Sequence, residues 1–291
     1  MIPFLVLTLL FLPLSALGLT PLDESETVLI PAGEFFMGSA NDGISFDDER
    51  PQRKVFVSSF RIHRYEVTNA RYKKFVDATG HPPPRHHKPE LTVWSHGVPP
   101  PGSEDHPVVN VSWEDAVAYC QWLGMRLPTE AEWEKAARGT DGRRYPWGND
   151  WNHRLANSAS YWADRTIEFK DGEEWKAFWM TGDGARIARE RGLKGEVLTL
   201  PVGSFPEGAS PYGLLDMAGN VSEWVQDWYE PYSYLHAPLS DPPGPDGQLL
   251  KVVRGGSWLK PARNLRTSDR DYGVPTDRAT GIGFRCAQDA W

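Results

Sequence analysis

Between residues 212 and 228 the chain reads YGLLDMAGNVSEWVQDW, a stretch that no single regular element can run through. A helix would spread Leu214, Leu215, Met217 and Trp224 over several faces, and Gly219 followed by Asn220 interrupts it midway. Glycine and asparagine tolerate backbone angles that other residues resist, so the stretch predicts a tight loop between two short elements. Asp216, Glu223 and Asp227 are spaced through it. Carboxylates beside carbonyls turned out of a ladder are what a hard cation such as calcium takes. Spacing alone favours a plainer role for these acids, the capping of short elements.

The whole chain is punctuated in the same way. Its 291 residues include 27 Gly, 25 Pro and 13 Trp, which suggests a loop-rich globule pinned by aromatic side chains, with length enough for a real core. A formal net charge of −8 argues against a nucleic-acid partner held through phosphates. Residues 1–18 form an apolar run ending Ala16-Leu17-Gly18, short for a membrane span and like a signal peptide, though without a leading positive residue. Export with cleavage near Gly18 is the expectation; an uncleaved run would be the one membrane attachment. Two cysteines follow, Cys120 and Cys286. In an exported chain an even count favours a disulfide, and two buried thiols are the alternative.

Taken in order, residues 27–37 read as strand, turn and strand, and residues 54–62 as one half-buried strand. Thr68 is placed to cap a helix over 69–79, Ser112 a helix over 113–124, and Thr129, with Glu132, a helix over 130–138. Residues 81–106 are proline-rich and hold five of the eight histidines, His81, His86, His87, His96 and His106, in spacings that match no standard ligand pattern. Residues 160–197 change character, rich in both charge signs, and read as an insertion with two short surface helices and a solvated charged face. Residues 200–205 read as strand and turn. Residues 251–258 read as a strand ending in a double glycine, where backbone can come close to a neighbour. Arg263, Arg266 and Arg270 could hold a carboxylate or sulfate, or pair with acid-rich loops such as residues 39–52, with Asp42, Asp47, Asp48 and Glu49.

The ordered motifs FFMGS, YEVTNARYKKFV, HPVVNVSWEDAVAYCQWLGMRLPTEAEWEKAARG, YPWG, PVGSFPEGASPYGLLDMAGNVSEWV, VVRGGSW and GFRC resemble the formylglycine-generating enzyme (sulfatase-modifying factor) domain family. The resemblance spans residues 27–287 apart from the insertion. It implies an irregular, loop-rich α+β domain distantly related to C-type lectins, with little regular secondary structure. It also implies structural calcium at Asp216, Gly219, Val221 and Glu223, against the capping reading. A second calcium site would begin at Asn157 and the carbonyl of Ser158, with its other ligands in the insertion. The family's disulfide corresponds to Cys120 and Cys286, in keeping with an oxidising, periplasmic or extracellular location.

One departure bears on activity. Members that generate formylglycine carry two cysteines after Arg-Gly-Gly-Ser that bind copper(I) and activate oxygen; thiolates are the soft ligands that ion needs. Here those positions are Lys260 and Leu265. The surrounding cleft residues, Arg254, Ser257, Trp258 and Arg270, persist. The expectation is therefore an exported, non-catalytic member without copper, using the cleft to bind a peptide or an exported partner protein. An oxidoreductase of another kind is the alternative, a non-haem iron or pyoverdine-tailoring relative with metal ligands relocated to the histidine loop or to Asp269 and Asp271. The ergothioneine-type relatives' iron motif, His-x-x-x-His-x-Glu, does not occur here. A lectin-like ligand binder is the third reading.

Overall fold

The computed structural model describes residues 26–40, 42–193 and 197–290; the apolar run over 1–18 lies outside them. Three small sheets carry the strands. β1 (Thr27–Ile30), β4 (Phe60–His63) and β9 (Ala287–Asp289) form one, in the order β1-β4-β9. β2 (Gly33–Met37) pairs with β3 (Arg53–Val57) as a hairpin. The third, in the order β7-β6-β5-β8, joins β5 (Ser222–Trp228), β6 (Lys251–Arg254), β7 (Asp271–Gly273) and β8 (Ile282–Phe284), with β5 and β8 parallel. Long irregular segments connect them, so the fold is a loop-rich mixture of short helices and small sheets.

Local chemistry sets the helices α1 (Asn69–Thr79), α2 (Trp113–Trp122) and α3 (Glu130–Arg138). The hydroxyls of Thr68, Ser112 and Thr129 each accept a backbone N–H from the first turn, and Asp115 and Glu132 reach back to complete capping boxes. α1 ends at Gly80, whose φ of 72° lets the chain turn off in the left-handed region. α3 is unusual in being buried along its whole length despite five charged side chains among its nine residues. Each of those charges is partnered. Glu130 pairs with Arg270, Glu134 with Arg138 and Arg254, and Glu132 with Arg126. Lys135 donates to the carbonyls of Pro31, Gly33 and Val57. A buried charge persists only when so paired and hydrogen-bonded.

Two large apolar cores flank the third sheet. Trp224 belongs to the one under α1 and α2, with Tyr72, Tyr119 and Phe284; its neighbour Val225 belongs to the one between α3 and the hairpin, with Trp133 and Phe35. The two-residue alternation of β5 thus serves both. A disulfide joins Cys120 of α2 to Cys286 beyond β8, with Cα atoms 5.6 Å apart.

Two expected elements differ. The strand expected over 54–62 is divided at Ser58 and Ser59 into β3 and β4, which enter different sheets. Residues 200–205 form turns, not a strand. Pro201 supplies no N–H, Gly203 takes a φ of 80°, and the N–H groups of Leu200 and Gly203 go to side chains of Asn220 and Asp216.

Candidate functional site

The loop over 212–228 forms as expected, and its backbone is held in unusual angles. Asp216, Gly219 and Asn220 have φ values of 59°, 84° and 60°. Only glycine fits at 219, because a Cβ there would lie 2.3 Å from the Asn157 carbonyl oxygen. Asn220 is the hub. Its N–H donates to the Asn157 carbonyl and its own carbonyl accepts from the Trp258 N–H. Its side-chain oxygen accepts from Asn157 and from the Leu200 N–H, and its amide donates to Glu66 at 2.7 Å. One residue therefore ties together the loop, the start of the insertion and the segment after the double glycine.

Beneath that hub lie three buried carboxylates and one guanidinium. Glu223 grips Arg285 with both oxygens at 2.7 Å and accepts the Trp133 indole N–H at 2.9 Å. Asp216 accepts the Gly203 N–H at 2.6 Å. Glu66 accepts the Val221 N–H at 3.0 Å. Burial pushes the Asp216 carboxyl up to about 6, with the charge of Glu223 adding to it. Burial and then the charge of Asp216 push Glu66 well above the usual carboxylate range. Arg285 is the one guanidinium among them, and it is committed to Glu223. Oxygen donors of this kind are what a hard divalent cation such as calcium takes; Glu223 is already engaged by Arg285 and Trp133, and among the described residues no three acids are grouped to hold a metal. Glu66 went unnoticed in the sequence, although an acid inside the YEVTN motif, just before a helix cap, was a signal.

Asn157 is engaged within the protein. Its amide donates to the Leu198 carbonyl and to Asn220, and its side-chain oxygen accepts the Trp162 indole N–H. Ser158 caps α4 (Ala159–Trp162). Arg254 and Arg270 lie beneath the surface, 1% and 5% exposed. Arg254 donates to Glu134 and to the carbonyls of Thr267, Ser268 and Asp269, while Arg270 holds Glu130 with two bonds. Arg266 binds Glu49 in the acid-rich loop in the same two-bond manner. Of the two roles open to this arginine cluster, ion pairing describes Arg266 and Arg270, and both bind α3 or the acid-rich loop to the segment after β6.

The segment 257–265 follows the double glycine and holds Ser257 and Trp258, which the sequence placed at a cleft; both are buried here. Lys260 Nζ lies 2.7 Å from Asp271, and the pair is about one-third exposed. Leu265 is fully buried against Ala156 and Ala218, with Trp147 and Trp151 packed around it. Asp269 is buried beside them, its carboxyl pushed up to about 7 by burial and the charge of Glu49. Trp258 is buried, and its indole donates to the Thr280 carbonyl. Ser257 is buried as well.

The insertion packs on this segment. It carries α4, α5 (Gly172–Lys176), a π-helical turn (Ala177–Thr181) and α6 (Asp183–Arg191). Its charges are paired along exposed faces, Lys170 with Glu174 and Arg186 with Glu190. Its aromatic residues point the other way. The indoles of Trp175 and Trp179 both donate to the Leu259 carbonyl, at 3.1 and 2.9 Å, and Trp179 packs edge-on against Trp258. Among the described residues no cluster of three or more His, Cys, Asp or Glu is arranged to hold a metal. In the proline-rich loop His81 faces Asp115, and His106 faces Thr199.

The sequence profile of the sulfatase-modifying factor enzyme 1-like domain matches residues 18–290. The chain is 35% identical to the formylglycine-generating enzyme of Streptomyces coelicolor, over 93% of this chain and 91% of that one. It is 34% identical to the inactive C-alpha-formylglycine-generating enzyme 2 of Mus musculus, over 99% and 93% of the two chains. Among solved structures, PvdO from Pseudomonas aeruginosa superposes with a TM-score of 0.70 at 28% identity, covering 91% of this chain and 94% of that one.

Proposed function

The chain belongs to the sulfatase-modifying factor enzyme 1-like domain family, and we propose that it is an exported, non-catalytic member that holds a peptide or a partner protein in the cleft beside Trp258. The observation that carries this reading is the occupation of the two positions where the family's oxidases have thiols. Lys260 is an ammonium engaged with Asp271, and Leu265 is an aliphatic side chain sealed in an apolar cluster. Neither offers a soft ligand. The chain's two cysteines are both consumed in the disulfide between α2 and the segment after β8. An inactive relative at 34% identity is consistent with a branch of the family that kept the scaffold without this chemistry.

Calcium has a structural part in this reading, at Asp216, Glu223 and the carbonyls of Gly219 and Val221, with Glu66 behind them. There the cation would supply positive charge to the carboxylate nest under Asn220 and so fix the cleft floor through the Trp258 N–H. The disulfide and the apolar N-terminal run support export.

The test is direct. Purified protein given copper(I), oxygen and a synthetic cysteine peptide should leave the peptide mass unchanged and consume no oxygen. Conversion of the cysteine to an aldehyde would overturn the reading. The competing reading is an oxidase with relocated metal ligands, supported by the fold shared with PvdO; stoichiometric iron in the purified protein would favour it.

A further inference from the structure

The insertion also bounds an open space on its inner side. Between α6 with its preceding π turn and the core lies a pocket of about 360 Å³, lined among others by Leu91, Trp179, Met180, Ala188, Arg189 and Trp258. The two tryptophans meet edge to face at 5.1 Å and form one wall. Trp175 and Trp179 fix that wall by their shared bond to the Leu259 carbonyl. Ala188 and its neighbour one turn back, Ala185, keep the helix face shallow where larger side chains would fill the space. Met180 is 68% exposed. A thioether on a flexible chain adapts to whatever apolar group arrives.

Among the described residues that line the pocket, Arg189 alone is charged. Arg186 of α6 is committed to Glu190 and Asp183. Arg189 is exposed and makes no ion pair or side-chain hydrogen bond among the described residues. A cavity of this size is at the lower end of those that take a ligand, enough for one large side chain and short of a long segment. A guanidinium without a partner among the described residues, beside an apolar hole, calls for an anionic group next to an apolar one.

We propose that this pocket takes one bulky apolar side chain of a peptide, with the carboxylate of an adjacent acidic residue held by Arg189. The inference rests on the peptide-binding reading above and names the part of the partner that the insertion selects. The apolar group is held by Trp179, Trp258 and Met180, and the acid sets its direction.

Four capped dipeptides test it: N-acetyl-Phe-Glu amide, N-acetyl-Phe-Gln amide, N-acetyl-Phe-Lys amide and N-acetyl-Gly-Glu amide. They are titrated into the intact nitrogen-15-labelled protein while the tryptophan indole N–H signals are followed, with those of Trp179 and Trp258 assigned by W179F and W258F. The Phe-Glu peptide should shift both signals and bind roughly three- to fivefold more tightly than Phe-Gln, the size of an exposed ion pair. The Gly-Glu peptide should shift neither. R189E, which alters an exposed side chain, should invert the order so that Phe-Lys binds best, and A188L should weaken all three Phe peptides. Equal binding of the Glu, Gln and Lys peptides, shifts confined to other tryptophans, or indifference to R189E would overturn the pocket proposal. So would shifts of the same two indoles by a methyl glycoside but by no peptide. Those results would leave the non-catalytic reading standing, whereas aldehyde formation on a cysteine peptide would remove that reading whatever the dipeptides do.

Discussion

Lys260 and Leu265 stand where the family resemblance expects two thiols, and their surroundings differ. Leu265 has no exposed surface and sits among small residues and indole rings, so L265A should cost about 2–5 kcal/mol through a cavity its neighbours only partly fill. The Lys260–Asp271 pair is partly solvated, so K260A should cost less than about 1 kcal/mol. Urea unfolding of both variants separates the two cases. Asp227 carries a different prediction. Its buried carboxylate accepts the Glu130 N–H, and burial with the charge of Glu130 pushes its pKa from 3.8 up to about 8. The folded protein therefore holds this proton more tightly than the unfolded chain. That contribution is fully present below the unfolded value and is lost as pH rises through the folded one. D227N keeps an oxygen for the Glu130 N–H and has no proton to lose. The variant's melting temperature should gain on the wild type's as pH is raised from about 4 to about 8; a constant gap would show that Asp227 does not titrate in this window.

At the scale of elements, α3 bears most on the fold. Glu134 accepts from Arg138, Arg254 and the Gly38 N–H, joining the helix to β6 and to the end of the hairpin. E134Q would leave two buried guanidinium groups short of a counter-charge, so a loss of about 3–5 kcal/mol is expected by calorimetry; a loss below 1 kcal/mol would mean water reaches the site. How much of this was legible follows from where the causes lie. The starts of α1, α2 and α3 were readable because their caps lie within three residues of the helices they begin. The burial of α3 was not. EAEWEKAAR looks solvent-facing, and the groups that neutralise it arrive from residues 31, 57, 254 and 270. The strand expected in 200–205 does not form for a similar reason, since N–H groups there are taken by Asn220 and Asp216. The acids and the Gly-Asn step of the 212–228 loop were visible as residue types. Glu66, and the part Asn220 plays as hub, depend on contacts made only when distant segments meet. The insertion's charge was legible and its aromatic face toward Leu259 was not.

For the whole molecule, the disulfide closes a separation of 166 residues, and in the chain-entropy picture such a bridge contributes about 5 kcal/mol. A C120A/C286A double variant should melt well below the parent under oxidising conditions and alongside it when the parent is reduced; equal melting of the oxidised parent would contradict this. On the proposed calcium reading, the carboxylates under Asn220 would link stability to the surroundings of Trp258. Removing calcium with a chelator should lower the melting temperature and alter the environment of Trp258, and restoring calcium should reverse both. The central claim is that this scaffold keeps its hard-cation site and lacks a redox centre. Its most direct test is elemental mass spectrometry of the purified, dialysed protein. Stoichiometric calcium with only traces of copper and iron is the result predicted. Stoichiometric copper or iron would contradict the non-catalytic account, and absence of calcium would contradict the cation site at Asp216 and Glu223.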